Sequence, residues 1–139
     1  MHSSGRILAI DFGERRIGLA LSDELGMIAS GAGTIPNDDR SIPHIVGLVT
    51  ERGVIRVIVG LPLTLKGEQG DSARLVHGFV EALEKSIGVP VQLVDERFTS
   101  SMATQAIRDM GVGRKKRRDK GKVDEIAAVI LLQGYLDSQ

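Results

Sequence analysis

The 139-residue sequence predicts an α/β domain in which helices cover a mixed five-stranded sheet. Three observations carry that expectation. Two apolar runs in "RILAIDFGERRIGLALS", residues 6–11 and 16–22, flank a charged turn at Gly13 and read as a hairpin. Two further strand-like runs, "VIRVIVG" (54–60) and "VPVQLVDE" (89–96), are each preceded by a helical pattern. The resulting order is β-β-β-α-β-α-β-α-α, an opening meander followed by αβ units, which requires both antiparallel and parallel pairing.

The elements follow in order. Residues 27–34, "MIASGAGT", form a weaker third strand whose Gly and Ala content suits a sheet edge. After a loop at Pro36–Arg40, residues 41–52 predict a helix with Ser41 as N-cap and Ile45, Leu48 and Val49 on its apolar face. The β-branched strand 54–60 leads into a loop, "LPLTLKGEQG" (61–70). Asp71 or Ser72 caps the next helix, where Leu75, Val76, Phe79, Val80 and Leu83 recur at helical spacing. Strand 89–96 precedes a helix capped by Thr99 or Ser100, burying Met102, Ala103, Ala106, Ile107 and Met110 and ending at Gly111. The last helix, Val123 to Leu136, is apolar nearly all round its middle and is expected to be well buried.

Bulk properties narrow the function classes. The length predicts one domain, residues 1–139, with 1–5 a disordered end. There is no Cys, so neither a disulfide framework nor a thiolate zinc site is available, in keeping with a cytoplasmic protein. No apolar run is long enough to cross a membrane. The formal charge is zero but segregated. Residues 114–122, "RKKRRDKGK", hold seven of the 18 Lys and Arg residues and one acid. Subtraction leaves 11 basic and 17 acidic residues elsewhere, so a basic segment of +6 stands on a body of −6. Such segregation suits a polyanionic partner or a solvated loop.

Three carboxylates stand where apolar elements meet polar loops: Asp11, Glu96 and Asp124. Sites in open α/β sheets gather outside the carboxyl ends of the parallel strands. Carboxylates brought together there repel unless a cation lies between them, and hard divalent cations take oxygen ligands. Each also has a structural explanation. Asp11 suits a turn, Glu96 a surface ion pair within "DER", and Asp124 the helix dipole, a role open to Glu125 as well. On the helical wheel Asp124 shares a face with Ala127, Ala128 and Leu131, whereas Glu125 aligns with Val129 and Gln133. Asp124 is therefore expected nearer the core, and Glu125 expendable.

Four stretches together resemble the YqgF or RuvX-like family of bacterial RNase H-like proteins. They are "AIDFGERRIGLALSD", "VIVGLPLTLKGEQG", "DERFTSSMA" and "KGKVDEIAAVILLQGYL", spanning nearly the whole chain. Phe98 is the one mild departure from the pattern. The resemblance implies an RNase H-like fold, strand order 3-2-1-4-5, helices on both faces, and Asp11, Glu96 and Asp124 as the acidic, metal-binding and catalytic set. In that order Glu96 must reach across strand four, about 9–10 Å from strand one, and Gly60 leaves room there.

The expected activity is therefore a Mg²⁺- or Mn²⁺-dependent nuclease of the two-metal type. Its substrate is structured nucleic acid, with pre-16S rRNA 5′ processing in a ribosome precursor set against resolution of a four-way DNA junction. Arg114, Lys115, Lys116, Arg117, Arg118, Lys120 and Lys122 would hold phosphates, with Arg15, Arg16 and Lys66 as further candidates. Two rivals remain. The first motif also resembles a phosphate loop of the actin, Hsp70 and sugar-kinase superfamily, whose two lobes do not fit in this length. A non-catalytic RNA-binding module would share the fold and bind without cleaving.

Overall fold

A computed structural model describes residues 5–61, 70–95 and 120–139, with side chains from 122 onward in the last segment. The expected helix beginning at Thr99 or Ser100 lies outside the described residues, as does most of the 61–70 loop. The described elements are β1 (Arg6–Phe12), β2 (Arg16–Ser22), β3 (Ala29–Pro36), α1 (Ser41–Glu51), β4 (Val54–Leu61), α2 (Asp71–Glu84), β5 (Val91–Asp95) and α3 (Lys120–Asp137). They form one five-stranded sheet in the order β3-β2-β1-β4-β5. The pairs β1–β2 and β2–β3 are antiparallel, while β1–β4 and β4–β5 are parallel.

Strand alternation sorts side chains between two cores. Leu8, Ile10, Ile17, Leu19, Val57 and Val59 pack with Ile45 of α1 and with Val76, Phe79, Val80 and Leu83 of α2. Phe12 extends this layer, its ring 4.8 Å from that of Phe79. On the opposite face Ala9, Ala20 and Ile58 meet Ala128, Leu131, Leu132, Tyr135 and Leu136 of α3. The alanines are small for a reason: they let α3 lie close to the middle strands. Tyr135, buried in this layer, keeps its hydroxyl satisfied by accepting from Arg56 at 2.8 Å and donating to Gln92 at 3.1 Å.

Several boundaries differ from expectation. The chain end is tied down one residue earlier than predicted, since the Gly5 N–H donates to the Glu24 carbonyl at 3.2 Å. The third strand lies at the edge as expected but runs over Ala29–Pro36, because residues 23–28 form a turn instead. There the Asp23 carboxylate accepts from the N–H groups of Met27 and Ile28, at 2.7 and 2.9 Å. The Ile28 and Met27 N–H groups hold its pKa below the ordinary carboxylate range. Ser41 is not the N-cap of α1. It is the first helical residue and donates its hydroxyl to the Asp38 carbonyl, while Arg40 occupies the cap position. Gly70, rather than Asp71 or Ser72, caps α2. Leu75 is 48% exposed because Ala73, Val76, Phe79, Val80 and Leu83 define the buried face.

At Gly18 the α3 backbone comes directly against the sheet. A Cβ there would lie 2.1 Å from the Asp124 carbonyl oxygen and 2.4 Å from its carbon. Gly18→Ala should therefore destabilise the fold by about 1–3 kcal/mol, since the obstacle is backbone and must move. Gly47, inside α1, has nothing within 4 Å of its would-be Cβ. Gly47→Ala should stabilise by roughly 0.5–1 kcal/mol through helix propensity. Urea unfolding of the two variants checks the opposite signs.

Candidate active site

Asp11 is the sixth residue of β1 and is half-buried. Its pairing partner on β2 is Gly18. Ile7, Ala9 and Asp11 alternate onto the face that α3 covers, because Ala9 and Ile7 pack against that helix. Asp124 begins the second turn of α3, and its carbonyl rests on Gly18. The missing side chain at Gly18 thus brings the α3 backbone at Asp124 over the strand pair that carries Asp11. Two of the three expected carboxylates therefore share one face and one end of the sheet.

The Asp124 carboxylate is also oriented. Its Oδ2 accepts from Arg16 Nε at 3.0 Å, with the two side chains 28% and 36% exposed. Arg16 lies two residues before Gly18 on β2, so the strand period aims it at the same face. The β1–β2 turn is tight: Gly13 N–H donates to the Arg16 carbonyl at 2.9 Å, and Asn37 Nδ2 donates to the Gly13 carbonyl at 2.7 Å. Arg16 is thus engaged with a carboxylate, whereas the sequence suggests a phosphate contact. Arg15, beside it, is exposed.

Glu125 corrects the helical-wheel expectation. Its side chain is 18% exposed, less than that of Asp124. Its Oε2 accepts from the Gly33 N–H at 2.6 Å, and its Oε1 pairs with Lys122 at 3.3 Å. Gly33 has φ +93°, which a larger residue adopts only under strain, and a Cβ on Gly31 would meet the Glu125 carboxylate at 2.6 Å. The register of β2 with β3 shifts between Gly18 and Ala20, so this part of β3 bulges toward the helix. Two turns later Gln133 repeats the pattern, accepting from Ala29 N–H at 2.9 Å and donating to the Met27 carbonyl at 3.0 Å. The face carrying Glu125 and Gln133 therefore clamps the edge strand to α3. The glycines at 31 and 33, on an edge strand, were the sequence signal for this clamp.

The remaining expected site residues divide by position. Glu96 lies outside the described residues, as do Lys66 and Arg114, Lys115, Lys116, Arg117 and Arg118. The strand before Glu96, β5, ends at Asp95, paired with Leu61, and Gly60 pairs with Val94. The pairing of β1 with β4 runs to Ile10 and Val59, so Asp11 and Gly60 are the next residues on their strands. Lys120 and Lys122 belong to the first turn of α3, not to the loop that the sequence suggests. Positive charge there opposes the helix dipole, and for Lys122 the Glu125 carboxylate offsets it. Among the described residues no group of three or more His, Cys, Asp or Glu is assembled. The Asp11 and Asp124 donors are all carboxylate oxygens, the chemistry that hard divalent cations take. No helix among the described residues is long and apolar enough to cross a membrane.

The sheet order and the helices on its two faces are those of an RNase H-like fold. The solved structures that resemble it have that fold. Thermus thermophilus RuvC, solved with a Holliday junction substrate, superposes with a TM-score of 0.60 at 15% identity, covering 96% of this chain and 94% of its own. The fowlpox virus resolvase, solved with Holliday junction DNA, gives 0.57 at 13% identity, covering 96% and 97%.

The chain belongs to the RuvX family, described as Holliday junction resolvase, which it matches over residues 5–138. Among its relatives, a Chloroflexus aggregans protein named "Putative pre-16S rRNA nuclease" is 48% identical over 135 residues, 96% of this chain and 94% of that one. A Parabacteroides distasonis protein of the same name is 42% identical over 136 residues, covering 97% and 96%.

The clamp generates a prediction about Glu125. Glu125→Ala removes a charged acceptor from the Gly33 N–H and should cost about 1.5–3 kcal/mol of stability. Glu125→Gln keeps an acceptor oxygen and should cost clearly less. Thermal unfolding of the pair, with amide exchange at Gly33, checks the ranking.

Proposed function

We propose that this chain, acting as one nuclease domain over residues 1–139, is a divalent-cation-dependent phosphodiester hydrolase of the cytoplasm. Its substrate in this reading is the 5′ region of pre-16S rRNA within a ribosome precursor. One observation carries the reading: in a member of the RuvX family, Gly18 lets Asp124 settle over the strand pair that holds Asp11. The names of the relatives support the RNA substrate.

Asp11 and Asp124 are the proposed ligands, with Glu96 the third. Gln92 and Val94 alternate onto the α3 face, through Tyr135 and the helix core, and Glu96 follows this strand in the sequence. Such a set would hold Mg²⁺ or Mn²⁺, which would supply activation of water and stabilisation of the leaving oxygen in phosphodiester hydrolysis, with two ions in the fullest form of that chemistry. The chain's own part is to hold these carboxylates in register before the cation arrives. Gly18 sets the backbone distance, Arg16 orients Asp124, and the Glu125 clamp fixes the helix. Arg114, Lys115, Lys116, Arg117 and Arg118 precede in sequence the helix that carries Asp124, whose first turn holds Lys120 and Lys122. Together they are the proposed phosphate-binding surface.

A junction resolvase is the second reading, favoured by the description of the family. Side-by-side cleavage of precursor 16S rRNA and a four-way DNA junction, with Mg²⁺, Mn²⁺ or chelator, separates the two. Cleavage of the RNA alone supports the proposal, and cleavage of the junction alone overturns its substrate. Absence of cleavage with intact, salt-sensitive RNA binding would instead identify a binding module.

Asp11→Asn and Asp124→Asn should each lower the cleavage rate at least about a hundredfold, as losing a charge-stabilising group at a reacting centre does. Circular dichroism checks that both remain folded. Replacing Lys115, Lys116 and Arg117 together by Ala should weaken binding alike for all sequences and flatten the salt slope by up to about three units. Filter binding across a salt series measures both effects.

A further inference from the structure

Asp124 already has a cation, and it is part of the chain. Arg16 Nε reaches Asp124 Oδ2 at 3.0 Å. A guanidinium keeps its charge at every pH a protein experiences, so Arg16 remains a cation beside this carboxylate. The same carboxylate is a proposed ligand of the divalent ion. A carboxylate oxygen that accepts from Arg16 offers less electron density to a metal, and a second cation placed beside Arg16 is repelled by it. Arg16 and the metal therefore compete for one group.

The arrangement suits exchange. The pair is partly solvent-exposed, so the guanidinium can turn into water without leaving a buried charge behind. Its strand position is nevertheless fixed, because Gly13 N–H holds the Arg16 carbonyl and Arg16 pairs with Pro36 across the sheet. Only the side chain needs to move.

We propose that Arg16 is an exchangeable counter-cation for Asp124, which keeps the carboxylate oriented before the divalent ion binds and weakens cation affinity by competing with it. The inference rests on the divalent-cation reading of Asp11 and Asp124. It makes Arg16 a positioning residue that sets the cation concentration at which the site fills.

The sign of one measurement separates this role from a merely structural one. Mn²⁺ is titrated into the full chain, and free Mn²⁺ is followed by electron paramagnetic resonance. Arg16→Gln, which removes the competitor, should bind Mn²⁺ about two- to fivefold more tightly than the unmodified protein, the range for a partly exposed ion pair. Arg16→Lys, which keeps the charge, should stay close to the unmodified protein. Asp124→Asn should bind weakly, and adding Arg16→Gln to it should change nothing further. Unchanged or weaker Mn²⁺ binding by Arg16→Gln, with Asp124→Asn still defective, would overturn the role of Arg16 while leaving the metal reading intact. Equal Mn²⁺ binding by the unmodified protein and Asp124→Asn would instead remove Asp124 as a ligand, and the counter-cation role with it.

Discussion

How closely the α3 backbone can approach β2 at Gly18 governs everything at the candidate site. The contact is backbone on backbone, with no room for a methyl group between. It sets the depth of the helix on the sheet, and depth in turn sets which side chains meet. Ala9 and Ala20 continue the same shallow surface beneath the middle of the helix. Further along, where the helix is larger-sided, Leu131, Leu132 and Leu136 fill the space. The candidate site thus lies where the helix and sheet backbones nearly touch. A single added carbon there would displace Asp124 relative to Asp11, whatever it did to stability.

Much of this architecture was legible in the sequence, for physical reasons that differ between elements. Residues 8–10 and 57–60 are buried on both faces, and such strands announce themselves by continuous apolar residues. The strand order came instead from the resemblance of four motifs, because periodicity carries no information about which strand lies beside which. The edge position of β3 was visible in its composition, but its boundary was not. The Asp23 turn takes Met27 and Ile28 out of the strand, and a turn made by a side chain and two amides leaves no apolar pattern. Leu75 shows the opposite failure. It fits the helical spacing, yet the helix docks through Ala73 and Val76, and only the tertiary position of α2 decides that phase.

At the site, Asp11 and Asp124 stood out because charge at the end of an apolar element invites explanation. Glu125 did not, because a wheel drawn for one helix assumes one covered face. Here α3 lies over β1 and β2 on one side and against the edge strand on the other, so both faces are covered. The glycine pair at 31 and 33 held the missing information, as a groove on the edge strand shaped for a carboxylate. Arg16 was visible as a basic residue, but its partner, 108 positions away, was not.

That separation has a consequence for when the protein becomes competent. Asp11 is made before Asp124, which belongs to a helix that follows every described strand. Until α3 docks, Ala9, Ala20 and Ile58 lack their helix cover and Asp124 is not held over the strand pair that carries Asp11. A nascent chain therefore carries Asp11 without the helix that brings Asp124 over its strand pair until α3 emerges. The fold itself delays the assembly of the site until synthesis has passed α3.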